Sequence, residues 1–365
     1  MTIKASGTSL SFSEIATEFG YPTNNSFGNY RNTTSQAGWD LGNLPLDTGI
    51  PTSGPIKFSD FYSKQLNIVI NCWDGSDSDT DYHVNAKSQW NRNNLVVVGD
   101  TNKTKRQSGS KVIIHVNKEI GSAVSNTVAL DTANKEVQRG KCALRTGSNW
   151  NSDVSMQIDL GDSARLRGAG GKGGKGNNPA DNGAGDLKNG REGTSALGIQ
   201  FGSSHNKAVI NVNSSAVIRA GYGGGGGAGG RYYDEGKGKS GHALPGCGGG
   251  GGAGWPVGAA GPAGGGNFSD QYTNQGAANP GSAGTKTVGG DGGTGQSDNA
   301  SGGDGGENGI AAGAGTDGTG DAGSSRNGAG GGDGTALRST GASNTYTLNN
   351  NGSMVGGTKN SGDVS

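Results

Sequence analysis

Apolar residues in this chain follow two rhythms, and the change from one to the other divides it. Over residues 66–153 they alternate with polar residues or gather in short runs. Leu66-Asn67-Ile68-Val69-Ile70, Leu95-Val96-Val97-Val98 and Val112-Ile113-Ile114-His115-Val116 are each bounded by Gly, Asn or Asp. Such runs predict strands, and together a compact β-sandwich or part of a β-stack. Further on, one template recurs three times. Ile158-Asp159-Leu160 is followed by a short polar turn and Ala164-Arg165-Leu166-Arg167. Ile210-Asn211-Val212 leads in the same way to Ala216-Val217-Ile218-Arg219, and Tyr346-Thr347-Leu348 to Gly352-Ser353-Met354-Val355. Apolar residues at matching offsets (Ile158, Leu160, Leu166; Ile210, Val212, Ile218; Tyr346, Leu348, Met354) predict a β-arch or hairpin. Each unit has too few of them to stand alone, so the units are expected to stack and bury a shared stripe.

A different period follows the units. Gly168, Gly171 and Gly174 are three apart. So are Gly221, Gly224, Gly227 and Gly230; Gly246, Gly249 and Gly252; Gly258, Gly261 and Gly264; Gly289, Gly292 and Gly295; Gly303, Gly306 and Gly309; and Gly328, Gly331 and Gly334. The chain holds 77 glycines in 365 residues, against an average of about 7%. Period three is that of the left-handed polyproline-II-type helix, which has no internal hydrogen bonds. With glycine facing inward, neighbouring helices approach closely enough to exchange N–H···O=C bonds, so short polyglycine-II helices folded against one another are expected. The nine prolines are too few, and the tracts too interrupted, for a collagen repeat. A flexible linker is the competing expectation. Against it stand the aromatic and acidic residues at tract ends and the β-unit after the last tract.

The first 65 residues carry an internal echo. Ser11 and Glu14 have the spacing of a capping box before Ile15 and Phe19, with Gly20 ending the helix. Phe58-Ser59-Asp60-Phe61 repeats the theme with Ser59 as the expected N-cap. Phe12, Ile15, Phe19, Trp39, Phe58 and Phe61 are the candidates for seating on a partner; closing a small core of their own is the alternative. The expected fold is therefore mainly β with polyglycine-II helices. It falls into a docking module at 1–65, a β-rich domain at 66–153 and a glycine-rich bundle at 154–365.

Glycine tracts alternating with variable inserts after β-units resemble the receptor-binding adhesins at the tips of T-even-type long tail fibres. The resemblance covers about residues 154–365. It implies a sandwich of polyglycine-II helices whose connecting loops contact a host outer-membrane protein or surface glycan. It also implies tail-fibre or baseplate proteins as partners, a trimer or a monomeric cap, and a place in the distal tail of a virion assembled in the host cytoplasm. The aromatic-rich fibre-docking domain usual in that family is not matched, and 66–153 has no counterpart.

Loops on a rigid scaffold are the natural contact sites. Four inserts stand out, at 177–191, 231–245, 267–272 and 296–299. Tyr232, Tyr233, Asp234, His242, Phe268 and Tyr272 are the candidate receptor contacts, because Tyr among Ser, Gly and Asn gives large contact area on few torsions. Covering the bundle ends is their other use. Trp255, beside Pro256, falls where a period-three glycine would stand, so a plug at the bundle edge is expected there.

Formal charge balances, with 30 basic and 30 acidic residues, which argues against nucleic acid as a partner. No apolar run reaches the length of a membrane span or a secretory leader. Cys72, Cys142 and Cys247 form neither a disulfide framework nor a zinc motif. The acidic turn at 74–81 lacks the glycine and terminal glutamate of a calcium loop, so no metal or cofactor is expected. His83, His115, His205 and His242 stand beside no plausible nucleophile. Gly221-Tyr222-Gly223 opens a GxGxxG match that no helix follows. No catalysis is expected. The rival is a tail spike whose carboxylates, drawn from separate loops, cleave host polysaccharide; an ice-binding or matrix role comes third.

Overall fold

The computed structural model describes residues 3–19, 50–51, 53–64, 67–71, 111–122, 139–146, 155–177, 188–200, 208–233, 241–264, 272–274, 278–295, 300–317, 327–340 and 346–360. The expected strand at 95–98, the acidic turn at 74–81, Cys72 and Trp39 lie outside them.

Near the N-terminus, helix α1 (Phe12–Phe19) begins with the expected capping box. The Ser11 N–H donates to the Glu14 carboxylate at 2.7 Å and the Glu14 N–H to Ser11 Oγ at 3.2 Å. Lys4 Nζ lies 2.6 Å from the same carboxylate. The second turn, a 3-10 helix at Phe58–Phe61, is capped differently from expectation. Asp60, not Ser59, closes it by accepting the Lys57 N–H at 2.7 Å, which leaves Ser59 inside the turn. A carboxylate is the stronger acceptor for an orphan N–H. Ile3, Ile15, Ile50 and Phe61 form a small buried core, with Leu10, Phe12 and Ile56 packed around it. Ile15 and Phe61 are fully buried, so this core and not a partner holds them. Phe58 is exposed, and Phe19 ends α1.

Most of the β structure is a stack of short parallel strands, apart from a small separate sheet in which Arg231–Tyr233 pairs antiparallel with Gly241–Leu244. β1 is Asn67–Asn71. The first rung comprises β2 (Lys111–Val116), β3 (Glu119–Gly121) and β4 (Cys142–Arg145). The second comprises β5 (Ser155–Leu160), β6 (Arg165–Arg167) and β7 (Ser195–Ile199). The third begins with β8 (Ala208–Val212) and β9 (Val217–Arg219). After β10 (Arg231–Tyr233), β11 (Gly241–Leu244) and β12 (Tyr272–Asn274), β13 (Leu337–Ser339) completes it. The last rung is β14 (Tyr346–Asn350), β15 (Ser353–Val355) and β16 (Thr358–Lys359). Each rung gives one strand to each of three parallel sheets, ordered β1-β2-β5-β8-β14, β3-β6-β9-β15 and β4-β7-β13-β16. The β-units are thus arches joining the first sheet to the second.

Registry explains why these residues form this stack. Ile114, Ile158, Ile210 and Leu348 stand in one column, Ile120, Leu166, Ile218 and Met354 in another, and Leu144, Leu197 and Leu337 in a third. Their side chains meet in a single core. Each buried Ile or Leu contributes about 1.5–3 kcal/mol. Strands from both sides of residue 153 share these sheets, so the division expected there runs through one continuous core. The third β-unit is offset from its expected alignment. Leu348 pairs with Ile210, and Tyr346 with Ala208. The arch after β14 is shorter than the one after β8, so Met354 regains its place opposite Ile218.

The glycine tracts are excursions from one corner of this stack. Every rung turns there from the second sheet to the third. The last rung does so with only Gly356 and Gly357, whose φ angles of +107° and +68° suit residues without a Cβ. The second rung leaves through 168–177 and returns through 188–194. The third leaves at 220 and returns to β13 at 337, and all the other tracts lie between.

Candidate functional site

Among the described residues the backbone-to-backbone N–H bonds of the tracts reach a neighbouring segment and none closes a helical turn within its own tract. Gly168, Gly171, Gly174 and Asn177 donate to the carbonyls of Arg219, Tyr222, Gly225 and Ala228, at 2.8–2.9 Å. The intervening Gly170, Gly173 and Gly176 donate to Pro256, Ala259 and Pro262. The tract 221–229 is enclosed on all sides. Its N–H groups reach 188–194, 247–253 and 313–316, and its carbonyls receive N–H groups from 171–177, 303–306 and 328–334. Only Gly223 departs, donating to the Asp333 carboxylate at 3.0 Å. The tract 246–254 is enclosed in the same way.

Steric demand follows enclosure. A Cβ on Gly225 would lie 1.9 Å from the Gly303 oxygen, and one on Gly249 2.1 Å from the Gly225 oxygen. In 168–177, which lies at the boundary, Lys172 and Lys175 take the third position and stay half-exposed between buried glycines. In 256–264 only Gly258, Gly261 and Gly264 are buried, and Ala259 and Pro262 face outward. Gly309, expected to continue the run from Gly303 and Gly306, leaves it instead. It has φ of +80° in the tight turn between Glu307 and Ile310.

The bond registers fix the direction of every tract. Segments 168–177, 220–230, 256–264, 289–294 and 312–316 run away from the β-stack; 188–194, 246–254, 279–285, 300–306 and 328–334 run back toward it. The connections therefore sort by end. Those beside the stack are short. Trp255 occupies one, its N–H donating to the Gly168 carbonyl and its carbonyl accepting the Ser122 N–H. Lys286, from the next, sits 4.0 Å over the Trp255 ring and ion-pairs with Glu119, which also binds Arg167. Trp255 thus joins bundle to stack, a more specific role than plugging an edge.

The four longest connections leave from the far end, begun by Asn177, Gly230, Gly264 and Asp317, and Gly295 begins a shorter one beside them. Paired bonds such as Asn177 to Ala228, Gly246 to Asn177, Gly264 to Gly246, Cys247 to Ala300 and Gly229 to Thr316 place their bases side by side. The four expected inserts share this end. The sequence reading missed a fifth, at 317–327, where the Asn327 N–H closes the base on Asp317 at 2.9 Å; the paired ends of its flanking tracts were the available signal. Four candidate contacts come together on a small sheet here. In β10 and β11 Tyr232 pairs with Ala243 and Tyr233 with His242, and in β12 Tyr272 pairs with Gly241. Asp234 and Phe268 lie outside the described residues. Cys142 and Cys247 are both buried, Cys142 in the β-stack and Cys247 among the tract bases at this end.

No family model matches the sequence, and no curated protein matches it. Among solved structures, the chain is similar to the gp37–gp38 adhesin tip complex of the bacteriophage S16 long tail fibre. The TM-score is 0.38 and the identity 18%, over 84% of this chain and 88% of that one. A likeness of that size assigns neither activity nor partners to this chain.

Proposed function

We propose that this chain is a phage tail adhesin that binds a host surface receptor through the loops at the far end of its glycine bundle. The observation that carries the reading is the sorting of connections. Among the described residues the tracts that flank the longest inserts of the glycine region open at one end, and the opposite end carries short turns, of which those at Trp255 and Lys286 are anchored to the β-stack. A fold that needed loops merely to reverse direction would have no reason to segregate them. In this reading the tracts are polyglycine-II helices, each stabilised by lateral backbone bonds of about 0.5–1.5 kcal/mol net. They hold the inserts that carry Tyr232, Tyr233, Asp234, His242, Phe268 and Tyr272, the residues of an adaptable polar-aromatic contact. The exposed Phe58, with Phe19 and Trp39, attaches the chain to tail-fibre or baseplate proteins, and the assembled particle carries it at the distal tail. The reaction class is binding without bond cleavage.

The test is adsorption. Purified chain should bind host cells saturably and release no reducing ends from their surface polysaccharide. Tyr232→Ala combined with Tyr233→Ala should weaken binding at least tenfold with unchanged melting. Full binding by that variant would remove the sheet from the site, and released reducing ends would replace the adhesin with a depolymerase.

A further inference from the structure

The two ends of the β-stack differ. In the first rung the core positions are covered: Ile114 is 0% exposed, Ile120 6% and Leu144 3%. In the last rung the same columns end half-open, at Leu348 and Met354, whose partners Ile210 and Ile218 are both 0% exposed. Among the described residues β14, β15 and β16 are the terminal strands of all three sheets, so each turns one row of N–H and C=O groups away from the strand it pairs with. An outward polar ladder runs off the same edge. Asn211 donates to Asp159 at 2.7 Å and Asn349 donates to Asn211 at 2.8 Å, and the exposed Asn349 is the last member of this ladder. Natural sheets guard such edges with charge, proline or bulges. Here the three strands Tyr-Thr-Leu-Asn-Asn, Ser-Met-Val and Thr-Lys carry one charge, Lys359, and no proline.

We propose that this last rung is an assembly edge which takes a parallel, in-register β-rung from a different chain of the tail. The inference rests on the adhesin reading for the source of that chain. The rung-on-rung contact it requires already repeats between successive rungs of the molecule. It states the partner's chemistry: short strands with aliphatic residues opposite Leu348 and Met354, and an amide or hydroxyl donor opposite Asn349. A second copy stacked head to tail fits poorly, because its first-rung core positions are covered. Among the described residues its first sheet also extends one strand, β1, beyond the other two.

The experiment mixes purified chain with tail fibres isolated from particles assembled without it. Wild type should join the fibres, and amides of 346–355 should gain exchange protection on joining. Met354→Lys and Asn349→Ala should each lower incorporation at least tenfold, with melting and cell binding of the free chain unchanged. Incorporation of both variants at wild-type level would overturn the proposal, as would failure of wild type to join. So would a dimer of the free chain that Met354→Lys dissolves, which would make a second copy the occupant. Equal protection of 346–355 in the free chain would show that the chain covers its own edge, again overturning it. If the free chain fails to bind cells but incorporation behaves as stated, the receptor reading falls and the assembly edge stands.

Discussion

The β-stack and the glycine bundle are held by the same bond, an N–H of one segment to a carbonyl of the next, but they differ in what lies between the segments. In the stack, side chains fill the space, and stability comes from columns such as Ile114–Ile158–Ile210. In the bundle, backbones fill it themselves, and a would-be Cβ at Gly225 meets an oxygen at 1.9 Å. The stack therefore tolerates changes of shape within an aliphatic column. The enclosed tracts tolerate no side chain at their glycines. The difference also explains the division of labour. Backbone-only packing places few demands on side chains at tract ends, so inserts of different length and composition are accommodated there without disturbing the scaffold.

The comparison is broken most directly by adding one side chain to an enclosed tract. Gly249→Val puts a Cβ 2.1 Å from the Gly225 oxygen and is expected to destabilise the bundle by more than about 3 kcal/mol, beyond ordinary overpacking. Exchange protection over 221–334 should collapse while that over 155–160 persists; retained protection in both would refute inward packing. In the stack, Ile158→Ala should cost about 2–5 kcal/mol, the range for a buried Ile with a residual cavity, read as a fall in the denaturation midpoint. A loss below 1 kcal/mol would mean that the column does not carry the stack.

Neighbours in one boundary tract sharpen the rule further. Gly174 is buried, and a Cβ there would lie 2.0 Å from the Lys188 oxygen, whereas Lys175 is half-exposed. Gly174→Ala should lower the bundle's melting temperature by several degrees. Lys175→Ala should fall within about 0.5 kcal/mol of wild type. Equal effects at the two positions would show that enclosure does not set the glycine pattern.

The same rule shows how far the sequence can be read. Tracts with glycine at every position, such as 223–227, are enclosed, and tracts with glycine at every third are at the boundary, so the period was visible. Two of the three β-units aligned correctly, because the turns after Leu160 and Val212 have equal length. The third misaligned because its arch is shorter. The third sheet was not legible at all. β7 and β13 are short, and Leu197 pairs with Leu337 across an intervening bundle, so no local pattern announces them. The same holds for the loop end: the sequence offered four separate inserts, and only the bond registers bring them together. At the N-terminus the capping box was legible because it is local. The burial of Ile15 and Phe61 was not, because Ile50 and Ile3 come from distant segments.

The smallest effect separates the bundle from structure that depends on titrating side chains. Hydrogen bonds from Lys4 first, then from the Ser11 backbone and hydroxyl, hold the Glu14 carboxyl at about 2, below its ordinary 4.5. A depressed carboxylate contributes stability that is full above its unfolded value and is lost as pH falls through the folded one. The start of α1 should therefore loosen between about pH 4.5 and pH 2, and Glu14→Gln should abolish that dependence. The lateral bonds of 221–229 join groups that do not titrate. Asp333, which takes the one side-chain position among them, is raised by burial, and this outweighs the Gly223 N–H and Arg139 that favour its charge, so its protonation as pH falls does not destabilise the folded bundle. Exchange measured at pH 3 and pH 6, corrected for the intrinsic rate, should show loss of protection at residues 14–17 and none at 221–229. Parallel loss in both would mean that the bundle leans on its surface carboxylates, and the contrast between backbone-held and side-chain-held structure would fail at that point.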